Sequence, residues 1–171
     1  MTTKTKDFDA HIKAVDGTNG GEFEAIVSVF GNVDGGGDVV IAGAFADNLK
    51  AWEDSGDRIP VIWSHQWGDP DSHIGEVVEA KELLPGDERL PDELKDLGGL
   101  WVKAVLDEDA TKYRKLLKGR RVKNFSFAYD IEEAAPAERD GQPVYELRKL
   151  NIIEVGPTLV GMNRSTALIS A

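Results

Sequence analysis

Ser126, His65 and Glu154 are the residues of this sequence whose types and settings fit nucleophilic chemistry. Residues 122–130 read VKNFSFAYD. Side chains alternate along a strand, so Phe125, Phe127 and Tyr129 share one face. Asn124, Ser126, Ala128 and Asp130 share the other, which sets the Ser126 hydroxyl among small and polar groups with three aromatics behind it. His65 ends the apolar run VIWSH, where parity gives it the face of Val61 and Trp63. Glu154 lies in LNIIEVG, where parity gives it the face of Leu150 and Ile152. A carboxylate on an apolar face needs a partner, because burying an unpaired charge is costly. That partner is either a Lys or Arg or a histidine that the carboxylate orients. Serine is a weak nucleophile until a base lies within hydrogen-bond reach. A triad is defined by geometry and not by sequence order, so the distances between these positions do not count against one. The residues permit a serine hydrolase, provided that the fold brings them together.

Other groups offer other chemistry. The string HQWGDPDSH holds His65, Asp69, Asp71 and His73, whose imidazoles and carboxylates suit zinc or manganese. Their spacing matches no helical two-histidine motif, and the same residues also make a solvated turn. A metal-dependent hydrolase is therefore an alternative, although no metal or other cofactor is expected. The glycine-rich GNVDGGGDVV at 31–40 lacks the lysine and hydroxyl of a P-loop and the spaced glycines of a dinucleotide turn. Its glycines suit a tight turn or a backbone close to a peptide. There are no cysteines, which removes disulfides, thiolate metal sites and cysteine nucleophiles.

The formal net charge of −11 disfavours binding to nucleic acid. One basic cluster, KYRKLLKGRRVK at 112–123, stands out against it. It reads as a helix end whose cations complement the helix dipole, or as a patch for an acidic peptide. The N-terminus lacks the apolar centre of a signal peptide, and no run approaches the ~18 apolar residues of a membrane span. The chain is expected to act in the cytosol where it is made, without a membrane partner.

The elements that must position these groups can be read from periodicity. Residues 1–20 are polar and end in DGTNGG, which predicts a flexible arm ahead of a single domain over 21–171. EFEAIVSVF alternates as a strand, with Phe23, Ala25, Val27 and Val29 on one face. AFADNLKAWEDSG predicts a helix with a Phe45–Leu49–Trp52 stripe and a stop at Gly56. RIPVIWSHQW, HIGEVVEA and GLWVKAVLD predict strands, and LLPGDERLPDELKDLGG between the last two reads as an exposed excursion. DEDATKYRKLLKG predicts a second helix ending at Gly119. VKNFSFAYD follows as a strand, APAERDGQP as a turn and VYELRKLNIIEVGPTLV as one long or broken strand. About seven strands and two helices without βαβ alternation predict an α+β, strand-dominated fold: an antiparallel, barrel-like sheet with helices outside.

Four blocks together carry a family resemblance. FGNVDGGGDVVIAGAF, IPVIWSHQW followed by HIGEV, VKNFSFAYD, and LNIIEVGPTLVGMNRSTAL come in the order and spacing of the tailed-phage, HK97-type prohead proteases. These are capsid-maturation serine peptidases related to herpesvirus assembly proteases. No single block is specific, whereas the ordered set is. The resemblance implies a herpesvirus-protease-like barrel with helices packed around it. It also implies endopeptidase action on the scaffolding part of a capsid precursor or scaffold protein, and on itself, inside the immature capsid in the bacterial host. Self-association is compatible with it. Block by block, His65 matches the family's base, Ser126 its nucleophile and Glu154 its acidic position. The herpesvirus relatives use a second histidine as third member; His73 is the available one, but its place before Ile-Gly does not resemble a catalytic slot. Ala128 stands where a glycine often follows the serine, Gly156 where a serine often follows E-V, and Gly161 and Met162 replace a Pro-Ala pair. A removable C-terminal tail is not expected within these residues. The alternative outside enzymology is a non-catalytic module that binds scaffold during capsid assembly.

Overall fold

The computed structural model describes residues 4–8, 12–13 and 21–159, with side chains for 21–159. One nine-stranded sheet dominates it. The strands are β1 (Lys4–Phe8), β2 (Ile12–Lys13), β3 (Glu22–Val29), β4 (Asp38–Val40), β5 (Pro60–Ile62), β6 (His73–Leu83), β7 (Gly99–Leu106), β8 (Asn124–Arg139) and β9 (Gln142–Thr158). The helices are α1 (Ala46–Ser55) and α2 (Thr111–Lys118). The sheet runs β1-β8-β9-β5-β6-β7-β3-β2, with β4 also on β9. Pairing is antiparallel except for two short parallel contacts of β9, with β4 and β5. Although β3 and β8 lie near opposite ends of that order, Phe23 packs on Phe125 with ring centroids 5.2 Å apart. The sheet therefore curls into a half-barrel around its core, as the strand-dominated reading expected.

The aromatic face of β8 forms the middle of that core. Phe125, Phe127 and Tyr129 are buried with Phe23, Phe45 and Val155. Phe127 stacks on Tyr129 at 4.8 Å and meets Phe45 edge-on at 5.5 Å. Burial, with the nearby charges of Asp38 and Asp34, pushes the Tyr129 phenol pKa above its ordinary value. β3 keeps Phe23, Ala25 and Val27 inward, but its register with β7 shifts between Ile26 and Ser28. Val29 consequently joins the opposite face.

That opposite face holds a second core, which corrects the reading of residues 83–99 as exposed. Leu83, Leu90 and Leu94 are buried there against Ile26, Val29 and Trp101. The charges of this segment point outward while Leu83, Leu90 and Leu94 cover the back of the sheet. Arg89 lies over the Trp101 ring at 5.3 Å, and its bonds to Asp87 hold that carboxyl down at about 2.

The residues read as a turn at 135–143 are also mostly strand. β8 continues to Arg139, and only Asp140 and Gly141 turn, at φ 51° and 75°. Asp-Gly is a preferred pair for a two-residue hairpin with both residues left-handed. Of the expected N-terminal arm, Lys4–Phe8 pairs along β8 and Ile12–Lys13 along β3. The rest of that arm, and residues 160–171, lie outside the described residues.

Helix α1 has the Phe45, Leu49 and Trp52 stripe against the core and ends at Gly56, φ 75°. It also fixes the centre of β9. Asn48 Oδ1 accepts the Ile152 N–H at 2.8 Å, and Trp52 Nε1–H donates to the Ile152 carbonyl at 3.3 Å. Helix α2 ends before Gly119, but the left-handed residue is Arg120, φ 53°. Gly119 itself has φ −80°.

Candidate active site

The site is built on the face of β8 and β9 that turns away from the aromatics. Ser126 pairs with Gly156, and Ala128 pairs with Glu154. Ser126 and Glu154 are therefore diagonal neighbours on adjacent strands, a relation that separates Cα atoms by roughly 7–8 Å. The other two corners of this square carry Gly156 and Ala128, which leave the middle open. A side chain laid across the diagonal can touch both ends.

His65 occupies that position. Its Nε2 lies 2.6 Å from Ser126 Oγ, and its Nδ1 is hydrogen-bonded to Glu154 Oε1. A carboxylate only accepts, so Nδ1 carries the proton and Nε2 is left to accept from the hydroxyl. Glu154 has no exposure and Ser126 only 1%, whereas the His65 side chain is 17% exposed. Burial strengthens a carboxylate–imidazole contact, since little water competes for either partner.

The structure brings both residues to Ser126 for reasons other than the parity arguments. β9 has an irregularity: Ala128 pairs with Glu154 but Tyr129 pairs with Ile152, so Ile153 is extra. Ile152 thus faces the core, and Glu154 emerges on the side of Ser126. The Ile152 N–H displaced from the regular pattern is the one that Asn48 accepts. His65, likewise, is not on a strand. β5 stops at Ile62, and Trp63–His65 is a turn with Ser64 at φ 48° and His65 at φ 57°. Two consecutive non-glycine residues in the left-handed region cost about 1 kcal/mol each. Strain of this kind gathers where a side chain must be aimed.

Gly156 makes the turn possible. A Cβ on Gly156 would stand 1.7 Å from the Ile62 carbonyl oxygen. The end of β5 crosses directly over β9 here, pairing with it only at Val61–Val155, and then drops His65 onto the serine. The sequence showed Gly156 as a departure from the family pattern without showing this use.

The loop after the turn is held by its own groups. The Ser72 hydroxyl is buried, 2.9 Å from both Gln66 Oε1 and Asp69 Oδ2. Asp69 Oδ1 accepts the Asp71 N–H at 3.1 Å, and His73 Nε2 lies 3.2 Å from the Trp67 carbonyl. His65, Asp69, Asp71 and His73 therefore turn to separate tasks. Among the described residues no three His, Cys, Asp or Glu side chains gather as metal ligands. Trp67 is a neighbour that the sequence reading missed. Its indole N–H donates to Glu154 Oε1 at 3.4 Å, and its ring meets the imidazole edge-on at 6.5 Å. A tryptophan two residues after a histidine carries no signal by which it could have been found.

Comparison with known proteins follows the same lines. A search of curated proteins found no match. Among solved structures, the chain is similar to the bacteriophage T4 capsid assembly protease, with a TM-score of 0.62 and 8% identity. The alignment covers 92% of this chain and 97% of that one, and at this identity the likeness is one of fold. The family model described as caudovirus prohead serine protease matches residues 8–171. The chain thus belongs to the caudovirus prohead serine proteases, a family of capsid-maturation serine peptidases.

Proposed function

We propose that Ser126 is the nucleophile, His65 the general base and Glu154 the group that orients it. Their substrate would be the scaffolding portion of the capsid precursor, and the chain itself, within the immature capsid in the bacterial host. The observation that carries the assignment is the single imidazole bonded to Ser126 Oγ through Nε2 and to Glu154 through Nδ1.

In the mechanism, Ser126 Oγ attacks the scissile carbonyl carbon and its proton passes to His65 Nε2. The imidazolium is stabilised by the buried carboxylate of Glu154. The tetrahedral intermediate collapses, the C–N bond breaks, and Nε2 returns the proton to the leaving amine. Water, deprotonated by the same nitrogen, then releases the acyl group and restores Ser126. The neutral imidazole is the form that can accept the Ser126 proton. The reading is tested by incubating the capsid precursor with wild-type chain and with Ser126→Ala. Cleavage confined to wild type is expected.

A further inference from the structure

The basic segment 112–123 differs from the rest of the surface in how its charges are used. Among residues 21–159, every lysine outside it lies within ion-pair distance of a carboxylate. Inside it, Lys112, Lys115, Lys118, Arg121 and Lys123 are all exposed. None of these five has a carboxylate within that distance among the described residues, although the chain carries 31 acidic residues. Gathering like charges in one place and leaving them without partners creates a local positive field on an otherwise negative molecule.

The field lies beside the catalytic groups. Tyr113 of α2 packs on Trp63 with ring centroids 5.3 Å apart, and Trp63 opens the turn that carries His65. Its hydroxyl also reaches the Asp71 carbonyl at 3.4 Å. After α2 the chain runs through Arg121 and Lys123 into β8, where Ser126 follows three residues later. Between them the chain turns back on the end of α2, where the Val122 N–H reaches the Leu116 carbonyl at 3.3 Å, so Arg121 and Lys123 lie beside the helix's last turn.

We propose that this segment is a docking surface for an acidic stretch of the polypeptide substrate, holding it while a neighbouring bond enters the site. The identity of the partner as substrate rests on the peptidase reading above; the charge preference does not. A polypeptide fits better than nucleic acid, because the acidic remainder of the surface repels a continuous phosphate backbone. Five exposed cations acting as weak surface ion pairs give roughly a tenfold effect on affinity.

The test is a chain in which Lys112, Lys115, Lys118, Arg121 and Lys123 are all changed to Gln, with its melting temperature checked against wild type. A fluorescein-labelled oligoglutamate peptide, followed by anisotropy, should bind wild type roughly tenfold more tightly than the variant. That binding should vanish in about 0.5 M salt. On capsid precursor the variant should show raised KM with kcat retained, and on an uncharged peptide spanning the cleaved bond it should match wild type. Equal peptide binding by both chains would overturn the proposal. So would tighter binding of a single-stranded oligonucleotide, or a wild-type dimer that the changes dissociate without any peptide binding. Anisotropy does not depend on Ser126, so failure of the docking surface and failure of the peptidase reading give different results.

Discussion

Glu154 is a carboxylate with no solvent exposure, and its one ionic partner among the described residues is a histidine. Glu154→Gln keeps the shape but offers an amide in place of an acceptor-only group. The imidazole then loses the contact that fixes its tautomer. We expect kcat to fall on the order of 10³–10⁴-fold with KM little changed. The fold should be retained, because an isosteric amide removes a buried charge. Steady-state kinetics with a melting curve checks this; wild-type kcat in Glu154→Gln would remove Glu154 from the mechanism. At this scale the chemistry was legible and the geometry was not. Ser126 could be read from simple alternation along β8. Glu154 and His65 were found by alternation too, yet an extra residue at Ile153 and a left-handed turn at Ser64 and His65 are what place them. Neither irregularity has a local sequence signature.

Elements supply the precision. β5 must pass over β9 closely enough to deliver His65, and only a residue without Cβ allows it at 156. Gly156→Ala should destabilise the protein by about 2 kcal/mol or more, since main chain must move to admit the methyl. Activity should fall further than stability alone explains, because the displaced segment is the one that aims the imidazole. Denaturant unfolding and kcat on the same sample test both parts; an unchanged midpoint with full activity would show the crossing to be loose. On the other side of the sheet, Leu94→Ala opens a space in the second core and should cost about 2–3 kcal/mol with the site chemistry intact. β3, β5, β6, β7 and both helices were visible in periodicity, whereas β1, β2 and β4 fall where an arm and a glycine-rich loop were expected. The segment 83–99 misled because its prolines and charges mark a surface loop, while three leucines spaced irregularly along it do the packing. Such spacing follows no single period, so it is recognised only once the sheet's back face is seen to need a cover.

At the scale of the whole molecule, the curled sheet joins parts of the chain far apart in sequence: residue 65 lies 61 positions from 126 and 89 from 154. Composition and strand count pointed to this architecture, and the ordered blocks pointed to its family. The order of strands, and the parallel contacts of β9 with β4 and β5, had no sequence signal. Because both imidazole nitrogens of His65 are engaged by Glu154 and Ser126, EDTA should leave proteolysis unchanged. A chelator-sensitive rate, restored by zinc or manganese, would favour metal-dependent hydrolysis instead. The most direct measurement is intact-mass spectrometry of capsid precursor incubated with wild-type chain beside Ser126→Ala. The account predicts defined precursor fragments with wild type and none with Ser126→Ala at equal folded concentration. Cleavage of the same bond by Ser126→Ala would contradict it.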